Sequence, residues 1–516
     1  SNSPISGTGN NFTLNAENGN ISLDTVGQDG NEIGEISLET PNTINLLGDI
    51  FTNGDLDFST ANQVNIAGSS VTLQTQTGNG EINLSGVPID GTESGNQLIL
   101  NAGSGNITLN SIGENIPLNA LEIDTSGQVN LGGNINIEGV GGVSFENASN
   151  IILTDNVIIN TALGNGEINF NTATINGESR LQLNSGEGNI SLGTVGDNQP
   201  LSSLSVNSQG ETNLSGNITT RGLDGVNFGN GSTLLLTENI NIDTSLGNGQ
   251  INLGNSSIDG NFDLELNSGS GEINLGTVGS NTPVNSLSVT TTGLTTLNDN
   301  LTTENNLDFS QATGGTQLNT DVNLTSNTGN IDLSNSPISG TGNRLTLQTP
   351  GEISLNNIGG NNNELAGVTI NDASIVNLFG DIYTDGGINV PNVTTINLSR
   401  ETIILETDSD NGEVNLADTS VEGQGNLFIN AGSGEINLGN VGNSIPLDSI
   451  TINTSGLTSL NGNLTTNNDI NFTEATGGTQ LNSDVNMTSN VGNIDLSNSP
   501  ISGTGNRLTL QTPGEI

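Results

Sequence analysis

Aliphatic and polar residues alternate along this chain in short blocks. Leu181–Gln182–Leu183, Leu264–Glu265–Leu266 and Leu345–Thr346–Leu347 are typical, each bounded by Gly- and Asn-rich stretches. A period of two places Ile, Leu and Val on one face and polar side chains on the other, which predicts strands of three to five residues separated by tight turns. A helical period of 3.6 is not evident, and Gly, Asn, Ser and Thr favour helices poorly.

The blocks recur. Gly269–Gly279 reads GSGEINLGTVG, and Gly432–Gly442, far downstream, reads GSGEINLGNVG. The context Ile-x-Leu-x-x-(Val/Ile)-Gly begins at Ile21, Ile107, Ile190, Ile273, Ile353 and Ile436. Six units of about 83 residues therefore tile the sequence. Ser334–Ile353 and Ser497–Ile516 are identical, which points to recent duplication of a two-unit block. A shorter spacing lies within each unit. It separates Ile168 from Ile190, Ile251 from Ile273, Ile331 from Ile353, Val414 from Ile436 and Ile494 from Ile516.

Strand-length alternation at this shorter period predicts an all-β fold, a parallel β-helix. Each coil is a rung of about three strands, and each strand pairs with its counterpart above and below. We expect roughly 25 rungs of about 20–22 residues, and a single continuous solenoid over residues 1–516, about 120 Å long. The usual chirality of parallel crossovers makes it right-handed.

Composition narrows the function. The 516 residues include 54 acids and five cations, all arginine: Arg180, Arg221, Arg344, Arg400 and Arg507. A net charge of −49 opposes binding to nucleic acid or to an anionic membrane surface. Cys and His are absent, which removes disulfides, thiolate nucleophiles, the usual zinc sites and imidazole catalysis. No apolar run reaches the roughly 18–20 residues of a membrane helix. SNSPISGTGN at the start lacks the form of a signal peptide. Aromatic residues make up only 2%, in keeping with a narrow aliphatic bore.

Tandem GNGEINL and GSGNITL rungs, rich in Gly, Asn, Ser and Thr, resemble the shaft of filamentous-haemagglutinin-like bacterial exoproteins. The acidic, lysine-free style is most similar to cyanobacterial examples. The resemblance implies an extracellular location at a bacterial surface and a structural role, as an adhesin shaft or the body of a surface filament. The Asn-Pro-Asn motif usual in that family's secretion domain is not found. The chain opens in the phase of Ser334 and Ser497 and stops inside a marker motif. We therefore expect either part of a longer array or separate chains stacking end to end.

Candidate sites are few. The residue before each marker Ile should stack on its equivalent one rung away. Glu167/Asn189, Gln250/Glu272, Asn330/Glu352 and Asn493/Glu515 alternate a charge with an amide, as repulsion would favour. Glu413/Glu435 stacks two acids and is the candidate cation pair, with loosely bound Ca²⁺ as its ion. Recurrent Asn reads as turn geometry and amide ladders, and alternatively as a glycan-binding face. Thr290–Leu297, TTTGLTTL, raises an ice-binding face, but Thr is too irregular from rung to rung for one. Polysaccharide lyases and hydrolases need a base or an acidic cleft that interrupts the repeat, and no interruption stands out. No cofactor and no catalytic residue are expected. Tyr383 and Met487, each single in the chain, read as repeat drift.

Overall fold

The computed structural model describes residues 4–516 except 40, 230, 232, 361–362 and 408–410. Among the described residues the ordered elements are short β-strands, and none is helical. The strands form a parallel β-solenoid of about 21 turns. The chain divides into two compact units, Ser1–Phe262 and Asp263–Ile516.

In the first unit one column of stacked residues runs Ile36, Leu56, Ile82, Ile107, Val129, Ile151, Ile175. In the second, an analogous column runs Leu264, Leu287, Leu307, Ile331, Ile353, Val376, Ile396, Val421. All of these side chains are buried. Each turn therefore covers the apolar face of its neighbours, and burial is shared along the stack. Phenylalanines such as Phe58, Phe228, Phe309 and Phe472 also fill the bore. Phe145 and Phe170 stack with ring centroids 4.9 Å apart and planes 6° apart.

The shorter sequence period is the register of many turns. Ile168 pairs with Ile190, Ile331 with Ile353 and Val414 with Ile436. Other turns depart from it in both directions. Val376 meets Ile396 after a shorter step, whereas Leu73 meets Leu100 after a longer one. Corners absorb the difference, and the count is about 21 turns, below the number expected from the sequence.

The marker motif is a strand, a corner and a single bridge. In Ile436–Gly442, Ile436–Leu438 is a strand and Val441 bridges to Val421 and Leu464. Gly442 follows with φ = 66°, a left-handed conformation that a side chain would strain. A second corner is lined by buried hydroxyls. Thr75, Thr125 and Thr161 donate to the carbonyls of Gly80, Gly105 and Gly166, each at 2.6 Å. Thr454 repeats the bond to Gly434 in the second unit at 2.6 Å. The interior can thus turn without leaving these backbone carbonyls unpaired.

Asn serves the corners twice over. In the Gly-Asn-Gly turns Asn79 and Asn165 take φ of 56° and 54°. Their Oδ1 atoms accept the backbone N–H of Ser104 and Glu187 on the next turn, at 3.0 and 2.9 Å. Elsewhere Asn and Asp alternate in one role. Asn357 Oδ1 accepts from Asp381 N at 2.9 Å, and Asp381 Oδ1 accepts from Ile404 N at 2.8 Å. Outward amides also form ladders, as in Asn45–Asn65 at 2.9 Å and Asn461–Asn482 at 3.1 Å.

Candidate functional site

The acid-versus-amide alternation has a second cause besides charge. Asn330 and Asn493 direct Oδ1 to the backbone N–H of Glu352 and Glu515, at 2.8 and 2.9 Å. Asn189 does the same for Glu211 at 3.0 Å. The amide anchors the next strand, a bond that repulsion alone would not require. Gln250 and Glu272 fall in different units.

Glu413 and Glu435 lie on adjacent turns, next to the paired Val414 and Ile436, and both are exposed. Glu413 Oε1 accepts the amide of Asn437 at 2.6 Å. Among the described residues no group of three or more acids is placed to hold a metal ion. The Thr290–Leu297 run points two ways: Thr291 and Thr295 are buried, while Thr292 is exposed and donates to the Gly269 carbonyl.

Sequence reasoning missed a set of buried acids. Asp90 and Glu422 occupy equivalent places in the repeat and are only 2% and 5% exposed. Asp90 Oδ1 accepts from Asn115 N at 2.9 Å, and its Oδ2 accepts the Asn115 and Gln63 amides. Glu422 Oε2 accepts from Ser444 N at 3.0 Å and Ile445 N at 2.7 Å. Asn176 holds the corresponding loop through Asn198 N and Gln199 N. Each clamps the loop after the left-handed glycine of the following turn. The signal was present as (Ile/Val)-(Asp/Glu/Asn)-Gly one turn ahead of that loop. Glu32 is a further buried acid. Backbone N–H donation and the Thr77 hydroxyl hold its carboxyl below the usual glutamate range.

Four of the five arginines pair with acids across turns. Arg180 reaches Asp224 at 2.6 Å and Arg221 reaches Glu178, so two exposed pairs bridge one region of the first unit. Arg507 meets Asp484 at 3.2 Å and Arg400 meets Asp381 at 3.4 Å. The Arg180–Asp224 and Arg221–Glu178 pairs, exposed on both sides, contribute at most about 1 kcal/mol each.

A groove of about 550 Å³ lies beside Arg400, lined also by Asn397, Leu398, Glu401, Gln424 and Ile445. Leu398 forms its buried floor. Phe379 is the neighbour of Ser399 one turn below, because Leu378 pairs with Leu398, and it is 42% exposed. Tyr383 lies close by and is half-buried. Burial, followed by the charges of Asp381 and Glu406, pushes its hydroxyl above the usual tyrosine value, and Arg400 partly offsets this.

No helix of the described residues is long and apolar enough to cross a membrane. Comparison with protein-family models, with curated proteins and with solved structures finds no match.

Proposed function

We propose that this protein is a structural segment of a bacterial surface appendage, an adhesin shaft or the repeating body of a filament outside the cell. The observation that carries the reading is the unbroken stacking within each unit. Columns of aliphatic residues run turn after turn, from Ile36 to Ile175 and from Leu264 to Val421. Side-chain bonds between turns accompany them. Interactions repeated at every turn suit a load carried along a stack, whereas a catalytic centre needs a unique arrangement of groups. The protein acts without a cofactor in this reading, and its partners are copies or continuations of itself. The acidic coat, at net charge −49, keeps neighbouring stacks apart.

Electron microscopy of the isolated 516-residue chain tests the proposal. Long fibres support a self-assembling filament subunit, and discrete stiff particles support a shaft segment. Flexible or collapsed particles contradict both. A second reading, a glycan-binding surface on the turns, is favoured by the groove at Arg400.

A further inference from the structure

We infer that the groove at Arg400 is a binding subsite for a neutral saccharide. The inference deepens the glycan reading and is independent of whether the protein forms fibres.

A comparison with the turn at Gly91 shows what a longer loop covers. Gly423 follows Glu422, which pairs with Asn397; Gly91 pairs with Ile66 in the same way in the first unit. The loop Thr92–Asn96 separates Gly91 from the strand beginning at Gln97, whereas only Gln424 and Gly425 separate Gly423 from the strand beginning at Asn426. In the first unit the longer loop folds back over its neighbour. Thr92 N bonds to the Ile66 carbonyl at 3.1 Å, and the buried Asn96 amide bonds to the Gly68 carbonyl at 2.8 Å. The shorter loop leaves the corresponding ground open beside Leu398. There, Arg400 and Glu401 stand where the first unit has Gly68 and Ser69.

The groups at this opening suit hydroxyl-rich ligands. Arg400 donates, Glu401 accepts, and the Gln424 amide does both. All three are exposed. Ile445 presents an apolar edge, 47% exposed, and Phe379 adds an aromatic surface one turn below. Apolar surface beside convergent polar groups is a feature of small-ligand sites, and here it lies in a shallow, open groove. The Glu422 clamp on Ser444 N and Ile445 N holds the far wall in place, so Glu422 is a positioning residue. The net charge of −49 and the carboxylates of Glu401 and Asp381 disfavour a polyanionic ligand and favour an uncharged one.

The test is calorimetric titration of the full chain with cellohexaose, mannohexaose and maltohexaose, with a hexagalacturonate as the charged control. Saturable binding of at least one neutral probe is expected. Arg400→Ala and Gln424→Ala should each weaken it about tenfold. Replacing Gln424–Gly425 with the sequence Thr-Glu-Ser-Gly-Asn, taken from Thr92–Asn96, should abolish it by closing the groove. The grafted loop already closes an equivalent turn, and an unchanged circular dichroism spectrum verifies folding. No saturation at about 1 mM probe, binding that survives the graft, or selective binding of the galacturonate would each overturn the inference.

Discussion

Individual polar residues are placed inside this protein where the backbone has a bond to offer. The corner threonines are satisfied by glycine carbonyls, and Asp90 and Glu422 by loop N–H groups. Departures from that rule identify weak points. Thr295 and Thr458, at equivalent positions of the long repeat, point buried hydroxyls into the bore with no hydrogen-bond partner. Each stands between an isoleucine and a second threonine in its column, Thr295 between Ile273 and Thr316, Thr458 between Ile436 and Thr479. Thr458→Val keeps the shape and removes the unsatisfied hydroxyl, and it should stabilise the second unit by about 1 kcal/mol. Chemical denaturation of the variant beside the parent checks this, and a loss of stability would refute it. Glu122 is a second such point. Burial, then the nearby Glu146 and Asp124, raise its carboxyl above the usual glutamate value. A raised acid destabilises the fold when ionised, and the penalty fades as pH falls through the folded value. Glu122→Gln should therefore raise the melting temperature at pH 7, with the difference disappearing below about pH 4. A difference that persists in acid would show that charge is not the cause.

Within a turn, stability is local. The strands are short and gain their partners from the turns above and below. Ile273 is fully buried and pairs with Thr295 on the next turn. Ile273→Asp places a carboxylate in that bore, at a cost of several kcal/mol. In a stacked architecture the damage should stay near the site. Limited proteolysis should open new cleavage sites in the adjoining turns while more distant turns of the second unit stay protected. Undiminished resistance would contradict the packing described. Much of this level was legible in advance. Alternation at Leu345–Leu347 gives the strand Arg344–Gln348, and the shorter period gives true pairs such as Ile331 and Ile353. Corner lengths were not legible, because a loop such as Thr92–Asn96 lies outside the periodic pattern that sets the register.

Across the protein, 54 acids accompany two units whose interiors hold mainly aliphatic side chains. The acids are tolerable because most lie on the outward face of the strands or in corners, where water and salt screen them. Buried acids such as Asp90 and Glu422 are matched to donors. The two functional readings draw on different parts of this design. The structural reading uses what every turn shares, and the saccharide subsite uses a place where a short loop, Arg400, Gln424 and Ile445 coincide. Fibre formation and sugar binding can therefore succeed or fail separately.

Fold class, the register of many turns and core composition could be read from the chain before folding, while the number of turns could not. They follow from alternation and repetition, which are properties of neighbours along the sequence. That Glu413 and Glu435 fall on adjacent turns, beside the paired Val414 and Ile436, was legible from the same count. The identity of the buried polar residues was not. Asp90 and Glu422 look like ordinary surface acids until the following turn brings its loop N–H groups to them. Nor was the groove, because Arg400, Gln424 and Ile445 stand roughly one turn apart in sequence and meet through stacking alone. Periodicity reports what each turn repeats. What differs from turn to turn becomes a site only when the corners set the turns side by side.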